Sequence, residues 1–90
     1  MDKKTILLVE DEVFIALDEK EILENYNFNV ISVSTGEKAV QAVEENPDID
    51  LILMDINLGE GMDGTEAAKR ILENHDLPLI FISSHTEREV

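Results

Sequence analysis

The chain has 90 residues, enough for one small folded domain, with an ordinary hydrophobic content of 43% and a rather high charged content of 31%. Its 21 acidic residues against 7 basic ones give a formal charge of −14, which argues against nucleic acid or an anionic membrane as a direct partner, because phosphates would be repelled. Cysteine is absent, which excludes disulfides and thiolate metal sites. The first apolar run, Ile6 to Val9, is too short for a signal peptide or a membrane span, so a cytoplasmic protein is the default expectation.

Four short apolar runs alternate with segments of helical periodicity. Continuous apolar runs bounded by turn residues are typical of strands buried on both faces of a parallel sheet, and the more mixed second run suits an edge strand. Strands that alternate with helices predict βαβ units with right-handed crossovers, and therefore the α/β fold class. The predicted strands are Thr5–Val9, Asn29–Val33, Leu51–Asp55 and Leu79–Ser83.

The first helix is predicted from about Val13 to Asn25, directly after the first strand. Its inner stripe at helical spacing is Ile15, Glu19, Ile22 and Tyr26. Glu19 interrupts this apolar stripe. Either its carboxylate reaches the edge of the helix or the helix is rotated from this assignment, and the sequence leaves both open.

Two later helices begin at capping signals. Ser34 and Glu37 have capping-box spacing, and the helix that follows ends at Asn46 before a proline. Asp63 and Gly64 open the next helix, and a further helix is predicted to begin at residues 84–87. The residues expected to face inward are Ala39, Val40 and Val43 in the first of these helices and Ala67, Ala68, Ile71 and Leu72 in the second.

Polar side chains stand where three predicted strands end. Glu10 and Asp11 follow the first strand, Asp55 ends the third and Ser83 ends the fourth. If the first and third strands are neighbours, the three carboxylates share a crevice at the edge where α/β sheets bind ligands. Two charges ~4 Å apart repel by roughly 4 kcal/mol at an effective dielectric near 20, so the cluster needs a proton or a cation. Oxygen ligands without His or Cys favour Mg²⁺, although any one of these acids alone could equally cap the following helix.

This arrangement is suited to phosphoryl transfer. Asp55 can act as a carboxylate nucleophile that forms an acyl phosphate, while a metal ion neutralises the phosphoryl oxygens. Ser83 can donate a hydrogen bond to a phosphoryl oxygen, or it can be a plain strand-end serine. The glycines at 59, 61 and 64 are not interpreted as a phosphate-binding GxGxxG motif and are expected to let the backbone approach the site.

At these residues the chain resembles the response-regulator receiver domain of two-component signalling. The matching segments are residues 6–12, 51–58, 62–64 and 78–85. The resemblance implies a flavodoxin-like, doubly wound parallel sheet in which the order 2-1-3-4 is visible. It also implies a partner histidine kinase or phosphotransfer protein, and a downstream protein or output domain that receives the signal. The domain would be a phosphoacceptor, not an enzyme that turns over an external substrate.

The resemblance also implies roles for individual residues. Asp55 would accept the phosphoryl group, and Ser83 would be the hydroxyl that switches toward it. Mg²⁺ would be held by Glu10, Asp11, Asp55 and the backbone carbonyl of Asn57.

The chain departs from the family pattern in its loop and at its end. Gly59 stands where a proline is usual, the segment from Asp55 to Gly64 is one residue longer than the common spacing, and Ser84 is a mild change from the usual small residue. The sequence stops at Val90, before the expected fifth strand, with its lysine, and the last helix. Residues 1–90 are therefore expected to be a receiver domain that is incomplete at its C-terminus. Left as an edge, the fourth strand would aggregate or recruit another chain, for example in a dimer.

Three other functions compete with this interpretation. A phosphatase with an aspartate nucleophile usually has a second acid two residues later, where this chain has Asn57, and places the nucleophile on the first strand. A flavin- or nucleotide-binding domain needs a phosphate loop after the first strand, where Glu10-Asp11-Glu12 would repel phosphate. A receiver-like module that docks partners without phosphorylation stays open, because the acids are present and the lysine is not.

Overall fold

A computed structural model of the chain describes residues 3–59 and 61–83. Strands and helices alternate along these residues as predicted. The third strand begins at Ile49, two residues earlier than predicted, and the helix predicted at residues 84–87 lies outside the described residues. The elements are β1 (Thr5–Val9), α1 (Val13–Asn25), β2 (Asn29–Val33), α2 (Gly36–Glu45), β3 (Ile49–Asp55), α3 (Gly64–Asn74) and β4 (Leu79–Ile82).

The strands form one parallel sheet in the order β2-β1-β3-β4. Val9 pairs with Met54, and Asp55 pairs with Ile82. The order reverses between β1 and β3, so these two strands end side by side at the point where open α/β sheets bind ligands. The doubly wound α/β class and the edge position of β2 are confirmed.

The main core lies on the side of the sheet that α2 and α3 cover. Right-handed crossovers place both helices on this side and α1 on the other, because the connection from β1 to β2 runs in the opposite direction across the sheet. Leu72 was expected to face inward but is 49% exposed, since the buried stripe of α3 runs through Ala67, Ala68 and Ile71. The buried residues of this core are Leu7, Val9, Ala39, Ala42, Val43, Ile49, Ile52, Met54, Leu58, Ala67 and Ile71.

The helix α1 is rotated relative to its predicted stripe. Ile22 is 47% exposed and Tyr26 is 74% exposed, which makes this part of the prediction wrong. Ile15, Glu19 and Leu23 are half-buried instead, on a ridge of residues spaced four apart. None of the residues of α1 is fully buried. The helix is thus rotated from the predicted stripe, but neither alternative removes Glu19 from the inner face, where its Oε1 is buried.

The N-cap of α2 is Thr35, one residue after the predicted Ser34. The Thr35 hydroxyl accepts a hydrogen bond from the backbone N–H of Lys38 at 3.0 Å, as an N-cap oxygen does when it satisfies a free donor of the first turn. The predicted pairing of Ser34 with Glu37 is wrong. Glu37 lies in the first turn of α2 and has a partner elsewhere in the fold.

The N-cap of α3 is Asp63, as the sequence predicted. Its Oδ1 accepts hydrogen bonds from the backbone N–H of Glu66 and from the hydroxyl of Thr65, both at 2.9 Å. Because both bonds favour the ionised carboxylate, the Glu66 amide first and the Thr65 hydroxyl second, they hold the pKa of Asp63 below its ordinary value. The cap fixes the start of α3 directly after the loop that follows β3.

Candidate functional site

Three acidic side chains come together at the carboxyl ends of β1 and β3. One carboxylate oxygen from each of Glu10, Asp11 and Asp55 lies within 4.8 Å of the other two. Glu10 and Asp55 are only 1% and 0% exposed, and Asp11 is half-buried. Carboxylates this close in a buried crevice repel one another, and a divalent cation relieves that repulsion. The donor set is all oxygen and opens to solvent beside Asp11, so it fits a hard cation such as Mg²⁺ that keeps part of its water shell.

Backbone amides hold two of these carboxylates in place. The N–H of Glu12 donates to Oε2 of Glu10 at 3.0 Å, and the N–H of Asn57 donates to Oδ1 of Asp55 at 3.1 Å. In both cases the donor lies two residues after the acid. Local hydrogen bonds of this kind limit side-chain rotation, so both carboxylates are oriented before any ligand arrives.

The loop between β3 and α3 approaches the acidic side chains closely. Gly59 has a φ of +72°, and a Cβ added there would lie 3.0 Å from Oδ2 of Asp11. A Cβ on Gly64 would overlap the carbonyl oxygen of Asp55, so α3 begins against the end of β3. Glycine at both positions lets the backbone reach the site, which agrees with the role expected from the sequence.

Asn57 and Ser83 lie at the same edge of the sheet. Asn57 is exposed, and its backbone N–H is the group bound to Asp55. Ser83 is exposed and directly follows Ile82, the register partner of Asp55. The N–H of Ile56 donates to the carbonyl oxygen of Ile82 at 3.1 Å, so the two strands stay paired up to this point. β4 ends at Ile82, one residue before its predicted end, so Ser83 directly follows the strand next to the one that carries Asp55.

Glu19 is an acidic residue near the site but outside the cluster of Glu10, Asp11 and Asp55. It interrupts the apolar stripe predicted for α1, and the sequence assigned it no role. Its Oε1 is buried and has no hydrogen-bond partner within residues 3–59 and 61–83. It lines a shallow groove with Leu23 of α1, Leu53 of β3 and Ile82 of β4. Burial raises the pKa of Glu19, and the negative charges of Asp55 and then Asp18 raise it further.

Glu37 takes part in a contact that the sequence gave no means to find. Its Oε2 accepts a hydrogen bond from the N–H of Met62 at 3.1 Å, which joins α2 to the loop after β3. The two residues are 25 positions apart, so no local motif connects them.

The fold and the site together define a doubly wound α/β domain with an acidic crevice at its switch point. The chain matches the family model of the response regulator receiver domain over residues 6–90. It is 39% identical over 84 residues to the phyllosphere-induced regulator PhyR of Methylorubrum extorquens, a match that covers 92% of this chain and 32% of that protein. It is 34% identical over 87 residues to the transcriptional regulatory protein YvrH of Bacillus subtilis, covering 96% of this chain and 36% of that protein.

Solved structures agree with the family match. The N-terminal domain of a response regulator/sensory box/GGDEF three-domain protein from Carboxydothermus hydrogenoformans has a TM-score of 0.86 and 47% identity, covering 97% of this chain and 70% of that one. The receiver domain of Erythrobacter litoralis PhyR has a TM-score of 0.82 and 29% identity, covering 94% of this chain and 66% of that one.

This chain belongs to the response regulator receiver domain family. It spans about a third of the length of the curated relatives described above. Receiver domains generally bind Mg²⁺ at an acidic pocket and work with kinases or phosphotransfer proteins and with output domains. Within the described residues, every helix is too short or too polar to cross a membrane.

Proposed function

We propose that Asp55 accepts a phosphoryl group from a histidine kinase or phosphotransfer protein of a two-component phosphorelay. The observation that carries this proposal is the buried position of Asp55, with a carboxylate oxygen within 4.8 Å of oxygens of Glu10 and Asp11. A carboxylate oxygen attacks phosphorus, the bond from phosphorus to the donor histidine nitrogen breaks, and that nitrogen keeps the electron pair. The product is an acyl phosphate on Asp55. The domain is then an acceptor in the cytoplasm and not an enzyme with an external substrate.

In this proposal Glu10, Asp11, Asp55 and the backbone carbonyl of Asn57 hold Mg²⁺. The oxygen-only donor set of the acidic side chains supports this choice of ion. The bound ion would neutralise negative charge on the phosphoryl oxygens. The amide of Asn57 keeps the Asp55 carboxylate oriented for attack through its hydrogen bond to Oδ1.

Ser83 is the proposed switch hydroxyl. Phosphorylation adds about −1.5 to −2 charge at Asp55, and a hydroxyl directly after the adjacent strand can move toward that charge and donate a hydrogen bond. The position of Ser83, one residue after the register partner of Asp55, supports this role. Movement of Ser83 would alter the exposed surface of β4, where a downstream protein, an output domain or a second copy of the chain would respond.

The decisive experiment is phosphorylation of the full-length protein by acetyl phosphate with Mg²⁺. We expect the mass of one phosphoryl group to be added, in a linkage that is stable in acid and labile in base. Asp55→Asn should remove the modification, whereas Asp48→Asn, which changes an exposed aspartate before β3, should retain it. No modification of the wild type, or the same modification in Asp55→Asn, would contradict the proposal.

Calorimetric titration with Mg²⁺ tests the metal ligands separately. Asp11→Asn removes one anionic ligand and should weaken binding markedly, because Mg²⁺ is held by few protein carboxylates. Asp18→Asn removes the same charge from the exposed face of α1 and should bind nearly as the wild type does. Equal losses in the two variants would show that only overall charge matters and would overturn the ligand assignment.

The alternative function is a docking module that works without phosphorylation. The exposure of Ile80 (52%) and Phe81 (42%) on β4 favours a surface for protein contacts. A wild type that binds its partner equally well before and after acetyl phosphate treatment would support this alternative.

A further inference from the structure

Glu37 connects α2 to the loop between β3 and α3. Its Oε2 accepts the N–H of Met62 at 3.1 Å, although the two residues are 25 positions apart. A carboxylate that accepts a backbone N–H makes a charge-assisted hydrogen bond, which is stronger than one between neutral groups. This bond ties the loop to α2.

Two glycines allow the helix and the loop to meet at this point. A Cβ on Gly36 would lie 2.7 Å from the carbonyl oxygen of Met62 and 3.2 Å from its Cβ, so the start of α2 packs directly on the loop. Gly61 has a φ of +87°, and a Cβ there would lie 3.1 Å from Oε2 of Glu37. The start of α2 therefore packs closely on the loop at Gly36, and the Glu37 carboxylate lies against the loop backbone at Gly61.

The same loop contacts two of the three clustered acids. The amide of Asn57 binds Oδ1 of Asp55, and the Cβ position of Gly59 lies 3.0 Å from Oδ2 of Asp11. A displacement of the loop therefore moves groups that touch both carboxylates. Glu37 anchors this loop from α2, through its bond to the Met62 amide.

We propose that Glu37 is a positioning residue, which fixes the loop after β3 and thereby sets how tightly Glu10, Asp11 and Asp55 hold a divalent cation. This inference rests on the proposed function in one respect, the identity of the cation as Mg²⁺. A simpler role for Glu37 is to stabilise the N-terminus of α2 by its charge alone. The two roles differ because hydrogen bonding needs reach and an acceptor oxygen, whereas the helix dipole needs only charge.

Three substitutions in the full-length protein separate these roles. Glu37→Gln keeps the length and an acceptor oxygen but loses the charge, Glu37→Asp keeps the charge but is shorter, and Glu37→Ala loses both. Glu44→Ala removes an exposed glutamate from the same helix and is the matched control. Two quantities are measured, the Mg²⁺ dissociation constant by calorimetry and the hydrogen-exchange rate of the Met62 amide by NMR.

We expect the Glu44→Ala control to resemble the wild type in both measurements. The Gln variant should stay closer to the wild type than the Asp and Ala variants do, because its amide oxygen still reaches the Met62 N–H, although without the charge that strengthens the bond. In the Asp and Ala variants the Met62 amide should exchange faster. Their Mg²⁺ affinity should fall by about threefold to tenfold, less than the ~10–100-fold typical of a group bonded directly to a metal ligand.

The proposal is overturned if the Asp variant binds Mg²⁺ like the wild type while Gln is as weak as Ala, because charge would then be the cause. Unchanged Met62 exchange in all variants would also overturn it. A wild type that binds no Mg²⁺ contradicts the metal site of the proposed function. Faster Met62 exchange in the Asp and Ala variants would in that case still support the loop anchor.

Discussion

The side of the sheet that faces α2 and α3 is closely packed, whereas the side that faces α1 is the more open of the two, although Ile6 and Leu8 of β1 are buried there. On the packed side Leu7, Ile52 and Met54 are each 0% exposed. On the other side α1 has no fully buried residue, and its Phe14 and Leu17 are 85% and 58% exposed. The two sides of the sheet therefore contribute differently to stability.

The candidate site draws on both sides. Asp55 shares the α1-facing side of β3 with Leu53, because successive side chains alternate along a strand. The loop after Asp55 is held from the packed side, by Gly64 at the start of α3 and by Glu37 of α2. A reactive carboxylate needs rigid support, while a surface that responds to it needs low local stability. At Asp55 the packed side supplies the rigid support, and the α1-facing side supplies the less stable surface.

The largest effect on the free energy of unfolding is expected when two isoleucines on neighbouring strands are replaced and compared. Ile52→Ala should lower the free energy of unfolding by about 2–5 kcal/mol, because it leaves a cavity in the core under α2 and α3. Ile80→Ala should cost clearly less, since Ile80 is 52% exposed on β4. Urea denaturation of both variants measures the difference. Equal losses would show that the open side is covered in the full-length protein and would break the comparison.

The packed side was easier to predict from the sequence than the open side. Ala39 and Ile71 belong to short stripes with strong contrast between apolar and charged neighbours, so their inward positions were identified correctly. In α1 the neighbours Ile22 and Leu23 are both apolar, and periodicity could not decide which faces the sheet. The bond from Glu37 could not be predicted because it depends on a distant part of the chain that only the folded sheet brings close.

The sequence could not decide which of two adjacent residues caps α2, but it did locate the acidic site. Ser34 and Thr35 are both good N-caps, and only the backbone conformation selects Thr35. The carboxylates at the ends of β1 and β3 were identified because strand ends can be recognised from sequence, and the strand order came from the family resemblance. The exposure of β4 was expected because no fifth strand follows it in this sequence, and the exposed fractions of Ile80 and Phe81 agree with that expectation.

A smaller effect is expected for the cap of α3 on the packed side. The lowered pKa of Asp63 means that its ionised form stabilises the fold at pH values above the unfolded pKa, and that this contribution is lost as the pH falls through the folded pKa. Asp63→Asn keeps an N-cap acceptor but not the charge, so it should be slightly less stable than the wild type at neutral pH and equal to it in acid. The measurement is the melting temperature of both proteins from neutral pH down to acid. Asp63→Ala removes the cap as well and should be less stable than Asp63→Asn at every pH. If the wild type is more stable than Asp63→Asn by the same amount at every pH, the role of the charge is contradicted.

The smallest expected effect, and one of opposite sign, is at Glu19 on the open side. Its raised pKa means that the folded state holds the proton more tightly than the unfolded state, so stability falls as the pH rises from the unfolded pKa to the folded pKa. Glu19→Gln keeps the shape and removes the charge. It should therefore melt at a slightly higher temperature than the wild type at neutral pH, with the difference vanishing below the unfolded pKa. Glu21→Gln, on the exposed face of the same helix, is the control and should show little of this gain. If Glu19→Gln instead lowers the melting temperature at neutral pH, the carboxylate has a stabilising partner in the full-length protein, and the α1 side is less open than the described residues indicate.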